Sequence, residues 1–110
     1  MEGTEKQLKW AEEIINNFEN ESREVLKSEV SQLEISLKNG NNVADILEAT
    51  KKAVAETEKW LGRQVETLKS GKYSAKTIID QRMKLTSRTT SEHVKKIMKR
   101  DFWDAQKEEK

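Results

Sequence analysis

The sequence predicts an all-α protein in which a long antiparallel helical hairpin is followed by two shorter C-terminal helices, the whole packed as a bundle. Three observations carry this. The 110 residues contain no proline and only four glycines, so few positions can break a helix or turn the chain sharply. Hydrophobic residues make up 34% of the chain and charged residues 37%, a balance that suits elongated helices with one apolar stripe each better than a deep-cored globule. Apolar residues also recur at spacings of three and four along most of the length. At this size the chain is read as one domain over residues 1–110.

The first helix is placed at about 5–38. Thr4 and Gln7 form a capping box, in which the hydroxyl accepts the Gln7 N–H and the glutamine side chain reaches back. Leu8, Ala11, Ile15, Phe18, Ser22, Val25 and Leu26, then Val30, Leu33 and Leu37, make one apolar face. The weakest stretch runs from Asn16 to Ser22, where Asn and Ser side chains compete for backbone hydrogen bonds and can bend or break the helix. Lys38-Asn39-Gly40 ends it, with the lysine at the negative end of the dipole and Gly40 free to turn left-handed. At 1.5 Å per residue such a helix spans roughly 51 Å and needs a partner along its length.

The second helix, at about 43–69, supplies that partner. Asn41 or Asn42 is the expected cap. Val43, Leu47, Thr50, Val54, Thr57, Leu61, Gln64 and Leu68 alternate at four and three, the most regular seam in the chain. The short loop around Gly40 makes the pair antiparallel. The seam's threonines and glutamine weaken the hairpin and leave room for further helices, or for a second copy of the chain. Ser70-Gly71 closes this helix, and Ser74 caps a third at about 75–85 carrying Ala75, Ile78, Ile79, Arg82 and Met83. The polar run over residues 86–91 reads as an interruption. Thr89, Thr90 or Ser91 then caps a fourth helix at about 91–106, with Val94, Ile97, Met98 and Ala105 on its buried side and residues 106–110 fraying.

The formal net charge of +1 conceals a division. Residues 1–48 hold 5 Lys/Arg against 11 Asp/Glu, whereas residues 72–100 hold 9 against 2. Either acidic and basic helices pack beside one another, or the basic segment is a face for phosphates or an acidic partner. The N-terminal residues are acidic and polar, without the basic-then-apolar order of a secretory signal. No apolar run approaches membrane-spanning length. The expectation is a cytoplasmic protein with no membrane association.

Two segments resemble a family of small helical proteins found in phages and other mobile elements of Gram-positive bacteria. Thr4-Glu5-Lys6-Gln7-Leu8-Lys9-Trp10-Ala11-Glu12-Glu13-Ile14 is similar to that family's opening Glu-Lys-Gln-Ile-Lys-Trp-Ala-Glu-x-Ile. Ala75-Lys76-Thr77-Ile78-Ile79-Asp80-Gln81-Arg82 is similar to its Ala-Lys-x-Trp-Ile-Asp-x-Arg segment, with Thr77 and Ile78 where aromatics are usual. The two cover about a fifth of the chain. The resemblance implies a mobile-element accessory protein inside a bacterial host cell, a class that includes inhibitors of host defence systems such as CRISPR nucleases.

Catalysis is disfavoured on residue types. The chain has no cysteine and one histidine, His93, expected to sit exposed in the first turn of the fourth helix. No Ser/His/Asp arrangement accompanies it. Carboxylate pairs such as Glu12/Glu13 and Glu56/Glu58 read as solvated helix faces, and the isolated glycines fit no phosphate-cradling loop. No catalytic residue, cofactor or metal is predicted. The candidate binding residues for nucleic acid or an acidic partner are Arg82, Lys84, Arg88, Lys95, Lys96, Lys99 and Arg100, around a hydroxyl-rich stretch that outlines a helix-turn-helix. Trp10 and Trp60 are expected to pack in the core or hairpin, near one another. Tyr73, Phe102 and Trp103 are candidate protein-interface residues. Phe102 and Trp103, about 100° apart on a helix, cannot both face inward.

The functional expectation is therefore a non-enzymatic mobile-element protein acting by macromolecular binding, in particular blocking a bacterial defence effector. The alternatives are a small nucleic-acid-binding protein using residues 82–100, and a structural coiled-coil homodimer.

Overall fold

The structure, a computed structural model, describes residues 2–104. Four α-helices follow one another: α1 (Glu5–Lys38), α2 (Ala44–Lys69), α3 (Ala75–Asp80) and α4 (Ser87–Met98). A 3-10 turn at Arg82–Lys84 separates α3 from α4, and a π-helical turn at Lys99–Trp103 follows α4. No strand occurs among the described residues.

The capping box opens α1 as expected, with the Gln7 N–H donating to Thr4 Oγ1 at 3.2 Å and the Thr4 N–H donating to Gln7 Oε1 at 3.1 Å. The helix then runs 34 residues without a break. The polar stretch up to Ser22 does not interrupt it: Asn16, Asn17 and Asn20 make no side-chain hydrogen bond to the backbone among the described residues, and Ser22 is fully buried and accepts a 2.6 Å hydrogen bond from the Thr90 hydroxyl of α4. A partner outside the helix removes the competition that would have unwound it. At the other end Gly40, at φ +89°, makes a Schellman turn. Its N–H donates to Leu37 O, and the Asn41 N–H donates to Ser36 O, satisfying carbonyls the helix leaves orphaned.

This turn consumes Asn41, one of the two residues expected to cap α2, and Asn42 does not cap it either. Asn41 donates its side-chain amide to Ser36 Oγ at 2.9 Å, and α2 starts from Val43 without any side-chain cap. Along α2 the buried positions Leu47, Thr50, Val54, Thr57 and Leu61 keep the predicted spacing.

α4 lies in the groove of the hairpin. Thr90 meets Ser22 of α1, His93 meets Thr57 of α2, and Met98 receives the Thr50 hydroxyl at 3.8 Å. Since α4 advances from 93 to 98 while α2 retreats from 57 to 50, α4 runs antiparallel to α2 and parallel to α1. The three helices touch pairwise, so their cross-section is triangular. Ile15, Phe18, Leu26, Leu61, Ile97 and Met98 belong to the shared core. The molecule measures 55 × 30 × 19 Å.

α3 packs across the N-terminal part of α1. Ser74 caps it through the Thr77 N–H at 3.2 Å, and the Ala75 N–H donates to Glu2 O at 2.7 Å. Gly3 permits that approach: a Cβ there would lie 2.8 Å from Ala75 Cβ.

Two predicted boundaries are corrected. α3 ends at Asp80 rather than 85, because after Ile78 and Ile79 the same face continues with Arg82 and Met83, and both are exposed. α4 starts at Ser87 rather than 91. The run expected to be an interruption is its first turn, made helical by the burial of Thr90 against Ser22. Its N-cap is Thr86, with no side-chain bond, and Thr89 instead donates to Lys84 O at 2.6 Å. The helix-turn-helix outline is thereby lost, since its first helix shrinks to six residues held against α1. The prediction for Ala105 and residues 106–110 lies outside the described residues. No helix among the described residues is long and apolar enough to cross a membrane.

Candidate functional site

In a triangular bundle the groove between two helices faces away from the third. Glu56, Trp60 and Arg63 recur on α2 at helical spacing, and His93, Lys96, Ile97 and Arg100 recur likewise on α4 and the π turn. The two rows face each other and, with Lys99 and Asp104, line a cavity of about 530 Å³. Four cations and two carboxylates thus share one groove, on the side of the bundle opposite the acidic α1.

The floor of the groove is aromatic. The Trp60 and His93 rings stack with centroids 4.3 Å apart and planes 15° from parallel. His93 Nδ1 lies 3.1 Å from the hydroxyl of Thr57, which is fully buried. Burial holds the His93 pKa below its ordinary value of 6.5; the nearby cations Lys96, Arg100 and Arg63 push the same way, against Glu56. The ring is therefore neutral at pH 7. Its expected place, exposed in the first turn of the fourth helix, is corrected: it is half-buried in the second turn of α4.

The predicted basic residues fall into two groups. Arg100 is committed within the protein, its guanidinium meeting Glu56 at 3.3 Å and Asp101 at 2.6 Å. The hydrogen bonds to Asp101 and Glu56 raise the Arg100 pKa, and the same contact lowers that of Asp101. Arg82 donates to Ile79 O at 2.8 Å and covers the Trp10 ring at 5.4 Å, and Arg88 pairs with Glu92 at 3.4 Å on its own helix. Lys84, Lys95, Lys96 and Lys99 are exposed, and no ion pair ties any of the four to a carboxylate among the described residues. The acidic and basic segments do pack together, yet the α1–α4 contact uses buried hydroxyl and apolar groups. Its one acidic link is the Ser91 hydroxyl donating to Glu29 at 3.4 Å.

The aromatic expectations divide as well. Trp10 is 46% exposed, which corrects its assignment to the core. Trp60 is partly buried, but its ring partner is His93 rather than Trp10. The π turn sends Phe102 inward against the core and leaves Trp103 43% exposed, so Phe102 is a packing residue. Tyr73 is exposed beside Lys72, whose Nζ lies 5.6 Å from the ring centre.

Sequence reasoning missed Arg63, Trp60, Thr57 and His93 as members of the site. The signal was the i, i+4, i+7 spacing of 56, 60 and 63, but it pointed to a groove only once α4 was known to lie beside α2.

Comparison with protein-family models, with curated proteins and with solved structures finds no match. The fold and site define a three-helix bundle, buttressed by a fourth short helix, with a basic, aromatic-floored groove on one side.

Proposed function

We propose that this is a non-enzymatic binding protein whose working surface is the basic α2/α4 face and whose partner is a polyanion, namely the phosphate backbone of a nucleic acid. The observation that carries the reading is that Lys96 and Lys99 stand exposed in the groove beside Arg63, with Lys95 exposed further round α4, and that none of these lysines is neutralised by the acidic helix α4 packs against. Cations without an ion pair among the described residues, spread over α4, the π turn and α2, supply the non-specific part of nucleic-acid affinity through counterion release. In the mobile-element setting that the two resembling segments imply, such binding would shield nucleic acid from a host defence nuclease.

Fluorescence anisotropy with short duplex and single-stranded DNA tests this. Affinity should fall steeply with salt, and changing Lys95, Lys96 and Lys99 together to Ala should flatten the log K against log salt slope by about 2–3, at roughly 0.9 per phosphate contact on duplex. A salt slope unchanged by that substitution would sink the reading.

Tyr73 and Trp103, both exposed aromatics, support a second reading, in which the protein touches a defence effector directly, as an anti-CRISPR-like inhibitor does. Aromatic side chains of this kind are enriched at interface hot spots. Inhibition of a purified defence nuclease, or rescue of phage plaquing, that is lost on Trp103→Ala and retained in the triple lysine variant would favour this reading over the first.

A further inference from the structure

We infer that the α2/α4 groove is a dedicated phosphate site, in which His93 donates its Nε2–H to a phosphate oxygen while Arg63, Lys96 and Lys99 supply the charge and Thr57 sets the tautomer. This rests on the reading of the basic face as a polyanion surface, and deepens it from a charged surface to a specific hydrogen-bonding site.

The tautomer follows from one buried hydroxyl. Thr57 is fully buried, and its side chain makes no hydrogen bond among the described residues other than the one to His93 Nδ1. A buried hydroxyl proton left without an acceptor is costly, so Thr57 donates and Nδ1 accepts. The neutral ring then carries its proton on Nε2, which has no protein partner among the described residues. The imidazole cannot swing elsewhere to find one, because Trp60 lies flat against it at 4.3 Å. A fixed N–H donor without an acceptor thus lines a groove of about 530 Å³ together with Arg63, Lys96 and Lys99.

The charges in the groove select the ligand. Arg100 meets both carboxylate oxygens of Glu56 at 3.3 Å, which neutralises the carboxylate closest to the His93 side of the groove. Arg63, Lys96 and Lys99 are left against Asp104. Donors arriving from two helices suit a tetrahedral anion with several acceptor oxygens better than a planar carboxylate with two. The groups facing His93 are Glu56 and Arg63 from α2 and Lys96 and Arg100 from α4 and the π turn. An anion among them offsets the cations and favours the imidazolium, so its binding raises the His93 pKa. By linkage, affinity then rises as pH falls through the window between the free value, which lies below 6.5, and the bound one.

His93 is the only histidine in the chain, so the full-length ¹⁵N-labelled protein gives one imidazole spin system. The Nε2–H tautomer should be present before any ligand is added. Titration with inorganic phosphate, and separately with a short single-stranded oligonucleotide, should move the His93 signals and raise its pKa. A response to both ligands marks a free-phosphate site that the backbone also uses; a response to the oligonucleotide alone marks a backbone site. An Nδ1–H tautomer, or silence of His93 to both ligands, overturns the inference. The double variant Thr57→Val/His93→Phe keeps a ring on Trp60 and no orphaned hydroxyl, and should bind the oligonucleotide about tenfold more weakly. If that variant binds normally while the triple lysine variant does not, the phosphate site falls and the basic-face reading stands. If the wild type binds no polyanion, both fall.

Discussion

The two ends of the hairpin carry the same apolar pattern and meet different fates. In the body, Ile15, Phe18, Leu26 and Leu61 are at most 2% exposed. Towards the Gly40 turn the stripe continues through Leu33, Leu37 and Ile46, yet Leu37 is 41% exposed and Ile46 36%, with Ile35 beside them at 60%. The difference is α4. It contacts α2 from Thr57 to Thr50, and Phe102 of the π turn that follows packs on the core edge that Ala49 also joins, while Leu37 and Ile46 near the Gly40 turn stay exposed. Two helices hide only the seam between them, and a third is needed to turn a stripe into a core.

The largest way to break the contrast is Phe18→Ala. Removing a ring this deeply buried should lower stability by about 3–5 kcal/mol in urea unfolding, because the cavity cannot be refilled by solvent-facing neighbours. A loss comparable to that of a surface substitution would mean the body is no better packed than the tip. Next comes the buried hydroxyl pair. Ser22→Ala leaves the Thr90 hydroxyl without its acceptor in a fully buried position, and should cost about 1–3 kcal/mol. Adding Thr90→Val removes the orphan, so the double variant should be more stable than the sum of its parts implies. Simple additivity in that cycle would show that the pair is not what holds α4 to α1.

The same pair explains how much of the fold could be read from the residues. The apolar spacing, the Thr4 box, the Gly40 turn and the Ser74 cap are local, encoded within a few positions of where they act, and all were legible. Thr90 and Ser22 are 68 positions apart, and each looks like a helix weakener until the other is beside it. That single non-local bond is why Ser22 read as part of a breakable stretch and why the run around Thr90 read as an interruption. The site was half legible for the same reason. Its cations on one helix were visible as a charge run, whereas Arg63 and the Trp60–His93 stack required knowing which helix lies against which.

At the turn itself the expected effect is smaller and of different origin. Nothing lies within 4 Å of a Cβ placed on Gly40, so Gly40→Ala tests the backbone alone. Its left-handed conformation should cost an alanine about 1–2 kcal/mol, visible as a lower thermal midpoint with unchanged helical circular dichroism. A neutral result would mean the turn relaxes to another geometry and that the hairpin does not depend on it.

The smallest effect expected is at the tip, and it sharpens the comparison most. Ile35→Ala removes a side chain that is mostly in water, and alanine is the better helix former by a few tenths of a kcal/mol. The two terms oppose one another, so stability should stay within about 0.5 kcal/mol of the parent. The measurement is worth making at two protein concentrations tenfold or more apart. If the tip is solvent-facing in the working protein, the small difference is the same at both. If the bare apolar tip is instead where two copies meet, the parent's midpoint rises with concentration and the variant's rises less, because association stabilises only the folded chains it joins. Such a result would restore the coiled-coil dimer as the state of the molecule. It would also assign to a second chain, at the tip, the covering role that α4 plays in the body.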